Sequence, residues 1–120
     1  LKGNIIIEAK LTLAKDDSVK IRENTEKFLS KRRESQPLDQ PSCGSVFKRP
    51  KNNYAGKLIE DSELKGKNVG GARVSDKHAG FIVNTGNATA NDVKRLIEFV
   101  KNTVNEKFKV ALEEEVIYLG

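Results

Sequence analysis

Ser42-Cys43-Gly44-Ser45-Val46-Phe47-Lys48-Arg49-Pro50 is the one stretch of this chain where small residues, a hydroxyl and two cations crowd together. Gly44 has no Cβ, so the backbone there turns sharply or comes close to a ligand. Ser45 then presents an Oγ that donates or accepts a proton. Lys48 and Arg49 offer charge to a carboxylate or phosphate. Pro50 ends any regular hydrogen-bonded run. By itself a Gly-Ser pair before a strand reads as a turn, and its neighbours decide whether it is more.

Upstream, Pro37 and Pro41 make residues 35–41 an extended connector that delivers the chain to this motif. Before it, Asp16-Asp17-Ser18 is a helix-start signal, with acids where the helix dipole favours them. Ile21, Thr25, Phe28 and Leu29 fall on one helical face, and Lys31-Arg32-Arg33 closes the helix at its cation-favouring end. Those cations read as a solvated helix end. The chain opens with a turn at Lys2-Gly3-Asn4 and a strand over 4–13, where Ile5 to Ile7 are β-branched and Ala9, Leu11 and Leu13 then alternate with polar residues.

Downstream, residues 54–62 read as a short helix with Leu58 and Ile59 inward and Gly56 allowing close packing. Residues 69–74 read as a short strand whose paired Gly70 and Gly71 mark a bulge or a close backbone approach. His78, the only imidazole, reads as a loop residue hydrogen-bonded to the core. Phe81-Ile82-Val83 is a buried strand. Thr89 and Asp92 resemble a capping box, and Val93, Leu96, Ile97, Val100, Val104 and Phe108 define one apolar helical face. A last strand is predicted over 110–119. Within it Glu113 and Glu115 share one face and Glu114 takes the other, so one face carries a carboxylate pair that needs cations or a ligand.

These elements predict an α+β domain, a single sheet with two main helices packed on it. With 120 residues the chain is one domain, and 37% hydrophobic with 32% charged is the balance of a globular protein. No apolar run approaches a membrane span. One cysteine and one histidine exclude a disulfide framework and make a metal site improbable on composition. A cytoplasmic location follows from the cysteine usage. Leu1 rather than Met opens the chain, which leads us to expect a fragment. The net charge of +5 invites a nucleic-acid reading. Interleaved acids and few aromatics favour a local anionic-ligand site instead.

SCGSVFKRP, AGKLIEDS, LKGKNVGGARVSDKHAGFIVN, NATANDV and EKFKVALEEEV, in that order, resemble the C-terminal domain of UDP-N-acetylmuramate dehydrogenase. This family is also called UDP-N-acetylenolpyruvoylglucosamine reductase or MurB, and the likeness is to its shorter, type II form over about 32–120. The resemblance implies an oxidoreductase of peptidoglycan-precursor synthesis, serving cell-wall biogenesis, cell shape and cell division. NADPH reduces FAD, and the reduced flavin passes hydride to the enolpyruvyl ether of UDP-N-acetylglucosamine. It implies Ser45 as proton donor, Glu115 as the carboxylate that polarises the intermediate, and Gln36, Lys48 and Arg49 as substrate contacts. It implies no cofactor-binding or metal-binding residue in this chain. FAD and NADPH would belong to the full-length enzyme, and the fragment alone is expected to be inactive.

Residues 1–14 resemble the last strand of the preceding FAD-binding domain, and 15–120 the C-terminal substrate-binding domain. The first strand, without its partners, is expected to be an exposed edge or to pair with a second copy. The expected partners are the enolpyruvyl substrate and the FAD-binding domain of the same parent chain, with neither nucleic acid nor membrane. Cys43, Glu63 and Glu114 depart from the family's more usual Ala, Gly and Pro. Two rival readings are a small basic nucleic-acid-binding module and a stand-alone anion-binding domain.

Overall fold

The computed structural model describes residues 5–119. The chain divides into two compact units, 1–31 and 32–120. In the first, residues 5–17 form neither helix nor strand, and Ile5, Ile6, Ile7, Leu11 and Leu13 are all exposed. Over its described residues, 5–13, the strand predicted for 4–13 is therefore not formed. The physical reason is that a strand exists only through its ladder of hydrogen bonds to a neighbour. The β-branched pattern supplies the propensity without the partner. The turn at Lys2-Gly3-Asn4 lies outside the described residues.

Helix α1 (Ser18–Ser35) begins where the two aspartates predict. Asp17 Oδ1 accepts the free N–H groups of Val19 and Lys20, at 2.9 and 3.0 Å. However, α1 buries none of its side chains, and Ile21, Phe28 and Leu29 remain exposed. It is not one of the helices whose side chains enter the core.

The second unit is built on a four-stranded antiparallel sheet, β1 (Ser42–Ser45), β2 (Asn68–Val69), β3 (Ala72–Val74) and β4 (Phe81–Asn84), in the order β1-β4-β3-β2. Its helices are α2 (Ala55–Asp61) and α3 (Ala90–Phe108). Val46, Ile59, Leu96, Ile97, Val100 and Val104 are fully buried in one core shared by the sheet, α2 and α3. The single strand expected over 69–74 is a hairpin: Val69 pairs with Ala72 across the turn Gly70-Gly71. Gly70 sits at φ +55°, the left-handed conformation that such tight turns demand. A Cβ on Gly71 would come within 2.4 Å of the Ala88 nitrogen, so the close backbone approach read from the glycine pair is real.

Helix α3 is fixed at its start by a complete capping box. Thr89 Oγ1 accepts the Asp92 N–H at 3.1 Å, and the Asp92 carboxylate accepts the Thr89 N–H at 2.9 Å. These bonds hold the Asp92 carboxyl below its ordinary range. The strand predicted over 110–119 reduces to a single antiparallel rung, Phe47 opposite Glu114. Pro50 and the left-handed Asn52 turn the partner segment away, so the ladder cannot extend.

Thr89→Ala removes half of the capping box and is expected to lower stability by about 1 kcal/mol. A denaturant titration that reads the shift in midpoint at constant slope measures it.

Candidate functional site

The bulge in β1 aims the first site residue. Ser42 pairs with Val83 and Ser45 with Phe81, so three steps on β1 oppose two on β4. Gly44 absorbs the extra residue at φ +87°. Beyond the bulge Ser45, Phe47 and Arg49 line one cavity of about 400 Å³, whereas Lys48 lines only a second concavity, which Arg49 also borders. Period-two alternation puts Lys48 against Glu113, 3.2 Å away. The structure thus brings Ser45 and Arg49 together and sends Lys48 elsewhere. Gln36, half-buried just after α1, is not among the residues lining this cavity.

Val46 anchors the site through its peptide group. Its N–H donates to the Gly80 carbonyl at 2.9 Å, and its carbonyl accepts the Glu115 N–H at 2.8 Å. Glu115 is therefore held one residue from Ser45 by the backbone. The three acids have different fates. Glu113 pairs with Lys48. Glu114 accepts from Lys101 Nζ on α3 and from the Tyr118 hydroxyl, both at 2.8 Å. The Lys101 bond, then the Tyr118 bond, hold the Glu114 carboxyl below its ordinary range. Partial burial, then Glu114 itself, push the Tyr118 phenol up to about 12. The exposed Glu115 carboxylate has no hydrogen bond or ion pair among the described residues. Glu115 is thus the one acid of the three without a side-chain partner among the described residues. It is not among the residues lining the Ser45 cavity, and on a regular ladder the alternation that pairs Glu113 with Lys48 also sets Glu115 on the Val46 side. Backbone proximity, not a side-chain contact, joins it to Ser45.

Sequence reasoning missed most of the cavity's other walls: Tyr54, Lys57, Lys65, Lys77 and the ring of His78. Arg49 stacks its guanidinium 4.1 Å above the Tyr54 ring centre. Lys57 pairs with Asp61 and Lys65 with Glu60, whereas the Lys77 ammonium donates to the Arg33 carbonyl. Arg49 and Lys77 have no carboxylate partner among the described residues. Four cations against one lining acid, Glu60, make the cavity a place for an anion. Period-two alternation from Ser45 was the available signal for placing Arg49 on the cavity that Ser45 lines. His78 needed tertiary information, because Gly56 and Gly80 both press on its ring. No described residues form a cluster that would hold a metal ion, and no described helix is long and apolar enough to cross a membrane.

A small antiparallel sheet whose first strand ends at a cation-lined cavity defines an α+β domain suited to an anionic ligand. Residues 36–119 match the family described as UDP-N-acetylenolpyruvoylglucosamine reductase, C-terminal domain, and the chain belongs to that family. It is similar to UDP-N-acetylenolpyruvoylglucosamine reductase of Oceanobacillus iheyensis, 55% identical over 99% of this chain and 39% of the relative. The protein of the same name from Caldanaerobacter subterraneus is 51% identical over 97% of this chain and 38% of the relative. The crystal structure of UDP-N-acetylenolpyruvylglucosamine reductase (MurB) from Thermus caldophilus superposes with a TM-score of 0.74 at 36% identity, covering 91% of this chain and 39% of that one. The chain thus spans about two fifths of these relatives' length.

Tyr118→Phe leaves Glu114 with Lys101 alone. The Glu114 carboxyl is then expected to titrate closer to its ordinary value of 4.5, as read by carboxyl carbon NMR. The stability that this carboxylate contributes is present above its unfolded value and lost as pH falls through the lowered folded one. Losing the Tyr118 bond moves that loss to higher pH.

Proposed function

We propose that this chain is the C-terminal, substrate-binding part of a cytoplasmic reductase that converts UDP-N-acetylglucosamine enolpyruvate to UDP-N-acetylmuramate for peptidoglycan synthesis, with NADPH and FAD. The reading is supported by family membership over 36–119 and by relatives that bear the reductase name. It makes residues 1–14 the end of a preceding FAD-binding domain, and would account for the exposed Ile5, Ile6, Ile7, Leu11 and Leu13. In the chain alone, the same segment is where a second copy would associate.

We place the flavin in the rest of the parent protein. The place where paired glycines meet a helix start, Gly70-Gly71 against α3, carries the Asp92 carboxylate, and a Cβ on Gly70 would meet it at 2.4 Å. An acid in that position repels a phosphate. Bound in the rest of the parent protein, the flavin supplies hydride chemistry. The residues of this chain account for the other half of the reduction, a proton.

Saturating an enol ether requires one hydride and one proton. In the proposed step the Ser45 O–H bond breaks and a C–H bond forms at the carbon left electron-rich by hydride addition. The serine oxygen recovers a proton from solvent. A serine hydroxyl is a weak acid, so the step demands a strongly basic carbon and nearby positive charge. Arg49 and Lys77 line the same cavity as Ser45 and supply that charge. Glu115, free of other partners and held beside Val46, is proposed to polarise the intermediate. Lys48, engaged with Glu113, would meet substrate only by giving up that pair, and Gln36 would meet it outside the cavity that Ser45 lines. The single observation that carries the reading is the placing of Ser45 on the wall of this cation-rich cavity.

In the full-length protein, Ser45→Ala is expected to leave flavin reduction by NADPH intact. Reoxidation of the flavin by the enolpyruvyl substrate should slow by roughly 10²–10⁴-fold. Stopped-flow flavin absorbance separates the two half-reactions, and equal damage to both would contradict the proton-donor role.

A further inference from the structure

Glu113, Glu114 and Glu115 are the same side chain three times over, so their identity cannot decide which of them stands beside the Val46 peptide. The segment meets the sheet at one rung, Phe47 opposite Glu114. Two backbone hydrogen bonds frame it: the Lys48 N–H donates to the Glu113 carbonyl at 2.9 Å, and the Glu115 N–H to the Val46 carbonyl at 2.8 Å. Register in a strand comes from the turns and ladder that hold it, or from side chains that fit one face only. A single rung supplies little ladder, which leaves the register to the side chains.

The alternation is regular over 110–116. Val110, Leu112, Glu114 and Val116 are buried or half-buried, whereas Ala111, Glu113 and Glu115 are exposed. Leu112 belongs to the core, and Val110 and Val116 pack against it. Glu114 is thus the acid of the run on the core-facing side, between two apolar neighbours of that side. A carboxylate there needs partners. Each of its oxygens has one: Lys101 Nζ on α3 donates to Oε1 at 2.8 Å, and the Tyr118 hydroxyl donates to Oε2 at 2.8 Å. Lys94, two turns before Lys101 on the same face of α3, holds its ammonium 4.6 Å from the centre of the Tyr118 ring.

These contacts forbid both simple slips. A slip by one residue would turn Leu112 and Val116 out to solvent. A slip by two would keep the faces but put Leu112 or Val116 where Glu114 stands, so that Lys101 would face an alkyl side chain. We propose that Lys101 is a positioning residue for the reduction: by clasping Glu114 it fixes the register of 113–115, and so the placing of Glu115 at the Val46 peptide. Lys101 does not line the Ser45 cavity and acts through Glu114 alone. The inference rests on the reductase reading and on the role given there to Glu115.

The full-length protein carries the test. Reoxidation of the flavin by the enolpyruvyl substrate is followed by stopped flow, beside flavin reduction by NADPH. Lys101→Met removes the ammonium and keeps the length of the side chain. It is expected to slow reoxidation roughly 10- to 100-fold, the usual cost of misplacing a working group by about 1 Å, by no more than Glu115→Gln does, and to leave flavin reduction unchanged. Lys101→Arg keeps a donor to Glu114 and should stay within a few-fold of wild type. In a Glu115→Gln background Lys101→Met should have no further effect, because no carboxylate is left to place. A Lys101 that merely stabilises the domain would slow both backgrounds by the same factor, and that result would overturn the inference. Full speed in Lys101→Met would do the same, as would equal damage to flavin reduction or a loss in Lys101→Arg as large as in Lys101→Met. A Glu115→Gln protein as fast as wild type would overturn the role of Glu115 in the reductase reading, and the inference with it.

Discussion

The peptide group of Val46 is the constraint on which the rest of the site depends. Its side chain is wholly buried, so its N–H and C=O must find partners inside the protein. They find Gly80 on one side and Glu115 on the other. Through these two bonds an aliphatic residue ties together three segments that carry polar side chains. Ser45 precedes it, the His78–Gly80 loop abuts it, and the acid run of 113–115 docks on it. Breaking the rung would cost the desolvation of two buried polar groups, about 1–3 kcal/mol each.

The division of the three acids follows from that rung. Lys48 engages Glu113 and Lys101 engages Glu114, and the segment then leaves Glu115 without a partner. A run of like charges is usually only a solvated surface. Here two of the three acids pin the tail and one is left over. Glu114 takes on a clamping role through Lys101 and Tyr118.

Local patterns were legible in the sequence wherever a side chain reports its own backbone. The capping box and the apolar face of α3 were readable because both depend on residues three and four apart. Gly44 and the Gly70-Gly71 pair were readable as sites of unusual backbone because only glycine enters those conformations without strain. Strands at the two ends were misread for one reason: periodicity gives propensity, whereas a strand needs a neighbour. Residues 5–13 have none of their own, and 110–119 meets only a segment that Pro50 and Asn52 turn away. The resemblance implied both Lys48 and Arg49, and alternation from Ser45 is what puts Arg49 on the cavity wall and Lys48 against Glu113. His78 and Lys77 come to the cavity through contacts with Gly56 and Arg33, distant in sequence and invisible without the fold.

We propose that the Val46 rung makes Ser45 and Glu115 parts of one working site although their side chains do not touch. A double-mutant cycle on substrate-driven flavin reoxidation in the full-length protein tests it most directly, with Ser45→Ala, Glu115→Gln and the pair. Groups that serve the same step are strongly non-additive. The expected result is a double variant scarcely slower than the worse single one. Two losses that multiply in full would contradict the claim and separate Glu115 from the site.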